Sequence, residues 1–145
     1  MNQYTLVLIK PEGVKIKDKI FKKLDDVGKR IKVKYYKKAP MENIKKNYKE
    51  HQGKHFHNGL INQFKNKSII TAVYKGDNVI KKFREVIGDK DPAKAAKGTI
   101  RSLSKDTLEK AEKEKRAVRN LIHASTTKKT ANFELGIWFP EYKNI

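Results

Sequence analysis

YTLVLIKPEGV, residues 4 to 14, is the stretch from which the fold is read. Its first six residues form a short continuous apolar run, and Lys10-Pro11-Glu12-Gly13 stops it. Such a run, bounded by proline and glycine, reads as a buried strand meeting a turn. Working outward, KDKIFKKLDDVGKR (17 to 30) spaces Ile20, Phe21, Leu24 and Val27 as one face of a helix, with Gly28 near its end. IKVKYYKKA (31 to 39) alternates Ile31, Val33 and Tyr35 with lysines, the pattern of a half-exposed strand. Helices are expected over 41 to 52 and about 56 to 66, followed by a strand in SIITAVYKG (68 to 76). NVIKKFREVIG (78 to 88) is amphipathic and helical, and a loop carrying Pro92 follows. SKDTLEKAEKEKRAVR (104 to 119) reads as a charged helix with a thin stripe of Leu108, Ala111 and Val118. NLIHAS (120 to 125) is a short strand, and TTKKTANFELGIWF (126 to 139) returns to helix.

That order predicts an α+β chain: a ferredoxin-like antiparallel sheet with helices packed on one face. The 145 residues suit a single domain with a real core, and no repeat or linker divides them. No apolar run approaches the ~18 to 20 residues of a membrane span. The N-terminus lacks a signal-peptide pattern, so a cytoplasmic protein is expected. Cysteine is absent, which excludes disulfides, thiolate catalysis and cysteine-based zinc sites. The formal charge of +19 predicts attraction to polyanions, nucleic acid and phosphorylated small molecules among them. Lysines are scattered through every segment, which equally fits solvated helix faces.

Neither a GxxxxGK[ST] loop nor a GxGxxG turn is present, so a bound phosphate must be held by cationic side chains. Arginine is scarce beside lysine and is the better two-oxygen partner, which singles out Arg84 and Arg101. Arg116 and Arg119 fit a solvated helix face. His123 is a candidate nucleophile, because an imidazole with the ordinary pKa of ~6.5 is largely neutral at pH 7. It needs an orienting partner on its second nitrogen, and Glu134, in the following helix, could return to provide one. From spacing alone, a satisfied core histidine is the default reading. His51, His55 and His57 cluster in HQGKHFH (51 to 57), where a solvated loop is a better reading than a metal site.

Taken together, several of these segments resemble the nucleoside diphosphate kinases, over nearly the whole chain. LVLIKPEGV resembles that family's opening strand and lysine turn, and NYKEHQGKHFHNGL its nucleotide-clamping helical hairpin. GDKDPAKAAKGTIR resembles its proline loop, and NLIHASTTKKTANFELGIWF its active-site strand and helix. The resemblance implies a phosphotransferase that moves the γ-phosphate of a nucleoside triphosphate to a nucleoside diphosphate through phospho-His123. Glu134 would orient His123, with Ser125 in support, and Lys10 and Tyr48 would lie near the transferred group. Arg84 and Arg101 would hold the distal phosphates, Asn120 the ribose, and Phe56 would stack on the base, which tolerates every base. Mg²⁺ would be bound through the nucleotide phosphates. Dimers building a tetramer or hexamer are also implied.

Three features depart from the family pattern. Lys90 stands where a phosphate-contacting threonine is usual, and Ser102-Leu103 follow Arg101 where Gly-Asp is common. The stretch from Arg101 to Asn120 is longer than usual, with an inserted charged helix expected at about 103 to 118 near the pocket rim or a neighbouring subunit. Ala117 or Val118 would then flank the base opposite Phe56. An alternative reading is a basic nucleic-acid-binding protein on the same fold without kinase activity. YTLVLI and SIITAVY lack the interleaved aromatics and glycines of an RNA-recognition motif, which leaves only weak nonspecific nucleic-acid binding expected.

Overall fold

The computed structural model describes residues 2–49 and 57–145. A four-stranded sheet, β1 (Asn2–Ile9), β2 (Lys29–Tyr36), β3 (Ile69–Asp77) and β4 (Ile122–Ala124), runs in the order β2-β3-β1-β4. Every neighbouring pair is antiparallel, and β1 lies in the interior beside β3 and β4. This is the ferredoxin-like α+β arrangement expected from the order of elements.

The helices cover both faces of the sheet rather than one. Val7 and Ile9 of β1 pack with Ile70, Ala72 and Tyr74 of β3 against α1 (Lys17–Asp25) and α4 (Val79–Ile87). Leu6 and Leu8 point the other way, with Ile69 and Val73. They meet Ile44 of α2 (Met41–Asn47), Leu60 of α3 (His57–Asn62), and Leu135 and Trp138 of α6 (Lys128–Trp138). A strand buried on both faces needs apolar residues at every position, which is why TLVLI shows no alternation. β2 is an edge strand, but the expected alternation fails. Its register shifts between Arg30 and Lys32, so Ile31 and Val33 pack on opposite faces. Tyr35 is exposed, and Lys34 is part-buried, donating to the Trp138 carbonyl at 3.1 Å.

The charged segment after Arg101 is not one helix. Its only α-helix is α5 (Leu108–Lys113), capped by Thr107, whose hydroxyl accepts the Lys110 N–H. Lys115 then takes a left-handed conformation (φ 54°), and Arg116 turns back to pair with Asp106. Only Ala111 of α5 is buried, so apolar contact supports about one turn and the ion pair folds the remainder.

Candidate active site

The KPEG turn positions the strand that carries His123. Pro11 opens a 3-10 helix over Pro11–Ile16, because its missing N–H is no loss at a helix start. The Lys10 N–H donates to the Leu121 carbonyl at 2.9 Å, and the Leu121 N–H donates to the Glu12 carboxylate at 3.2 Å. These two bonds hold Leu121 at φ 78°, a conformation costly for a branched side chain. Gly13 permits it: a Cβ there would lie 2.5 Å from the Leu121 oxygen. The chain then enters β4, where His123 pairs opposite Leu8 of β1.

His123 Nε2 lies 3.0 Å from both carboxylate oxygens of Glu134. The Ser125 hydroxyl donates to Glu134 Oε1 at 2.6 Å, fixing the carboxylate from its other side. Glu134 is buried on α6, whose start is set by a capping box between Thr127 and Thr130. A carboxylate on Nε2 selects the tautomer protonated there and leaves Nδ1 as the nucleophilic nitrogen. The Tyr48 ring packs edge-on against the imidazole, with centroids 5.4 Å apart. Burial, with Glu134 and Glu12 nearby, raises the Tyr48 phenol above its ordinary pKa and keeps it a neutral donor.

Lys10 is buried and donates from Nζ to Asn120 Oδ1 at 2.9 Å. Burial pulls its pKa down to about 8, against the raising influence of Glu12 and with Arg101 lowering it further. Asn120 in turn donates from Nδ2 to the Lys90 carbonyl at 2.9 Å, joining the lysine turn to the proline loop. Arg101 is anchored by bonds to the Gly88 and Ile122 carbonyls, at 3.2 and 2.8 Å. Its guanidinium thereby sits beside the His123 strand, and burial lowers its pKa.

An open cleft of about 880 Å³ is lined by His123, Arg84, Lys90, Lys94 and Arg101, with Lys81 at its side. Cations therefore converge on the edge where the imidazole is reached, the arrangement an oligophosphate requires. Arg84 and Lys90 are exposed in this cleft, Lys90 through its side chain while its carbonyl holds Asn120. Tyr48 is buried against the histidine ring, Lys10 and Asn120 are buried as a bonded pair, and none of the three is among the lining residues. Phe56, His51 and His55 lie outside the described residues; His57 opens α3. Ala117 packs against the cluster of Tyr48, Leu60 and Phe64, and Val118 is buried.

Sequence reasoning quoted KPEG but gave Glu12 and Gly13 no role. The signal was a glycine and an acid fixed immediately after the strand-ending lysine. It also placed Arg116 on a solvated face, whereas Arg116 and Asp106 form a part-buried pair.

The family model described as nucleoside diphosphate kinase matches residues 3–144. The chain belongs to the nucleoside diphosphate kinase family. Among its relatives, the nucleoside diphosphate kinase of Methanocaldococcus jannaschii is 35% identical, covering 97% of this chain and 96% of its own. That of Nocardia farcinica is 33% identical, covering 98% of each. In structure, a nucleoside-diphosphate kinase from Borrelia burgdorferi, solved as a transition state mimic with vanadate and ADP, superposes with a TM-score of 0.86. It is 28% identical, covering 95% of this chain and 87% of the other. An NDP kinase from Pyrobaculum aerophilum gives the same TM-score at 25% identity, covering 96% of each chain. Among the described residues no helix is long and apolar enough to cross a membrane.

Proposed function

We propose that the chain transfers the γ-phosphate of a nucleoside triphosphate to a nucleoside diphosphate in two half-reactions, with His123 as carrier. The observation that supports this most directly is the Glu134 carboxylate on His123 Nε2, at the edge of a cationic cleft. In the first half-reaction the Nδ1 lone pair attacks the γ-phosphorus. The bond to the β,γ-bridging oxygen breaks, its electrons leaving with the nucleoside diphosphate. The positive charge that develops on the imidazole is stabilised through Nε2–H by Glu134. In the second, a terminal oxygen of an incoming diphosphate attacks the same phosphorus, and the N–P bond returns its electrons to Nδ1. Arg84, Arg101 and Lys90 steady the distal phosphates, while Lys10 and Tyr48 supply positive charge and a hydrogen bond near the transferred group. Asn120 serves the ribose and Phe56 the base.

Mg²⁺ bound through the nucleotide phosphates would neutralise part of their charge. Glu12 and Glu134 are both engaged by protein donors, which fits a metal held by substrate oxygens rather than by the chain. The reading brings with it a cytoplasmic, dimer-based homo-oligomer and, from the charge, weak nonspecific nucleic-acid binding.

Mixing the protein with γ-labelled ATP and Mg²⁺ is expected to give an acid-labile phosphoenzyme that adding any nucleoside diphosphate discharges. His123→Ala is expected to abolish it. Labelling that survives the substitution unchanged would remove His123 as the carrier.

A further inference from the structure

The segment between Arg101 and Asn120 is stitched to the site at both ends. At its start, the Asp91 carboxylate accepts the N–H groups of Ala93 and Leu108, each at 3.1 Å, one residue beyond the carbonyl that binds Asn120. At its end, the Ser104 hydroxyl donates to the Arg119 carbonyl at 2.6 Å. Between them stands Asp106, which receives Arg116 Nη1 at 2.7 Å and Nη2 at 3.0 Å, and the Arg119 N–H at 2.9 Å. The two side chains are only 9% and 11% exposed. A bidentate pair with so little water and a third donor on the acid is the geometry in which an ion pair fixes a conformation. Its hydrogen bonds hold the Asp106 carboxyl well below the usual carboxylate range.

The pair also reaches the opposite wall. A Cβ on Gly59 of α3 would lie 2.9 Å from the Arg116 Cα and 3.1 Å from the Lys115 carbonyl, so α3 rests on the backbone that the pair folds. Ala117 joins the cluster that holds Leu60 of the same helix. Phe56 and Asn120, the residues proposed for base and ribose, stand in sequence next to the two things so fixed: α3 and the Arg119 peptide.

We propose that Asp106 and Arg116 are positioning residues whose ion pair braces α3 against the entry to the His123 strand and thereby sets nucleotide affinity. This rests on the phosphotransfer reading of the same site. Neither residue touches the reacting atoms, so breaking the pair loosens the binding of base and sugar and leaves the chemistry of the saturated enzyme intact.

The test is a set of three variants, Asp106→Asn, Arg116→Lys and Gly59→Ala, with the Asp106→Asn/Arg116→Lys double. Steady-state kinetics and hydrogen exchange over residues 57–63 and 119–122 are measured for each. Each single variant is expected to raise KM for nucleotide about tenfold with kcat within twofold, and to speed exchange over 57–63. The double variant should be no worse than its worse parent, because both remove one interaction. Gly59→Ala separates the contact from the pair: it should reproduce the KM effect while leaving Arg116 and Asp106 in place. Unchanged KM and exchange in the pair variants would overturn the proposal. So would a fall in kcat as large as the rise in KM, the mark of general structural damage. If the parent chain transfers no phosphate at all, the phosphotransfer reading fails, while exchange over 57–63 still decides whether the pair braces α3.

Discussion

Lys10 is held at a cost to the fold, and the proposed contact with phosphate is what that cost would serve. Its ammonium is buried, and its pKa falls from 10.5 to about 8 because burial disfavours the charged form. Between those values the unfolded chain binds more protons than the folded one, so this residue's contribution to stability becomes more favourable as pH rises through that window. At about 1.4 kcal/mol per pH unit, the cost of holding the charge at neutral pH is about 3 kcal/mol. Lys10→Met is therefore expected to melt at a higher temperature than the parent at pH 7, with the gap closing as pH approaches 10.5. For function the sign reverses. A phosphate favours the ammonium, so nucleotide KM should rise above about pH 8 in the parent, and Lys10→Met should be weaker throughout but flat across that range. A pH-independent KM in the parent would show that Lys10 does not face the phosphates.

At the scale of elements, the short strand β4 depends on the turn that precedes α1. Gly13→Ala drives a Cβ to 2.5 Å from the Leu121 oxygen, a backbone atom already fixed by the Lys10 N–H. Ile9 and Ile20 close the other sides at 3.2 and 3.3 Å, so little relaxation is open. Overpacking of this kind costs about 1–3 kcal/mol. The variant is expected to lose that stability in denaturant melts and, by displacing β4, to lower kcat more than KM. A fully stable variant with unchanged kcat would mean that Leu121 does not transmit the turn to His123. This coupling also shows what the sequence could carry. TLVLI announced an interior strand because burial on two faces leaves a continuous apolar signature, and the imidazole with Glu134 eleven positions later was visible as a spacing. The helices of the second layer are expected at 41 to 52, about 56 to 66 and 126 to 139, but the face they cover was not legible, because α2 and α3 are short and their apolar residues form no long stripe. The end of the 104–119 helix was hidden for a different reason. It is made by a tertiary pair, Asp106 with Arg116, and ten-residue charge spacing resembles any solvated face.

At the scale of the whole molecule, the excess charge acts on every anion, not only on nucleotides. The +19 net charge is spread over lysines in all segments, and β2 presents Lys32 and Lys34 at the sheet edge beside Glu141 and Phe139. A diffuse field of this kind steers encounter and raises local anion concentration without a built groove. Nucleic acid should therefore bind weakly and without sequence preference, with log affinity falling linearly in log salt. Arg84 and Lys90 in the cleft contribute to the same field, so nucleotide and nucleic acid should interfere at low salt. Fluorescence anisotropy with a labelled single strand, from 20 mM to 200 mM salt, is expected to show a fall of at least a hundredfold, as several released counterions require. Phosphotransfer at saturating nucleotide should change far less over that range, because the hydrogen bonds that Arg101 and Asn120 donate to backbone carbonyls fix the site independently of the field. Salt-insensitive strand binding would instead indicate a specific nucleic-acid groove, and would revive the reading in which the basic surface rather than His123 defines the chain.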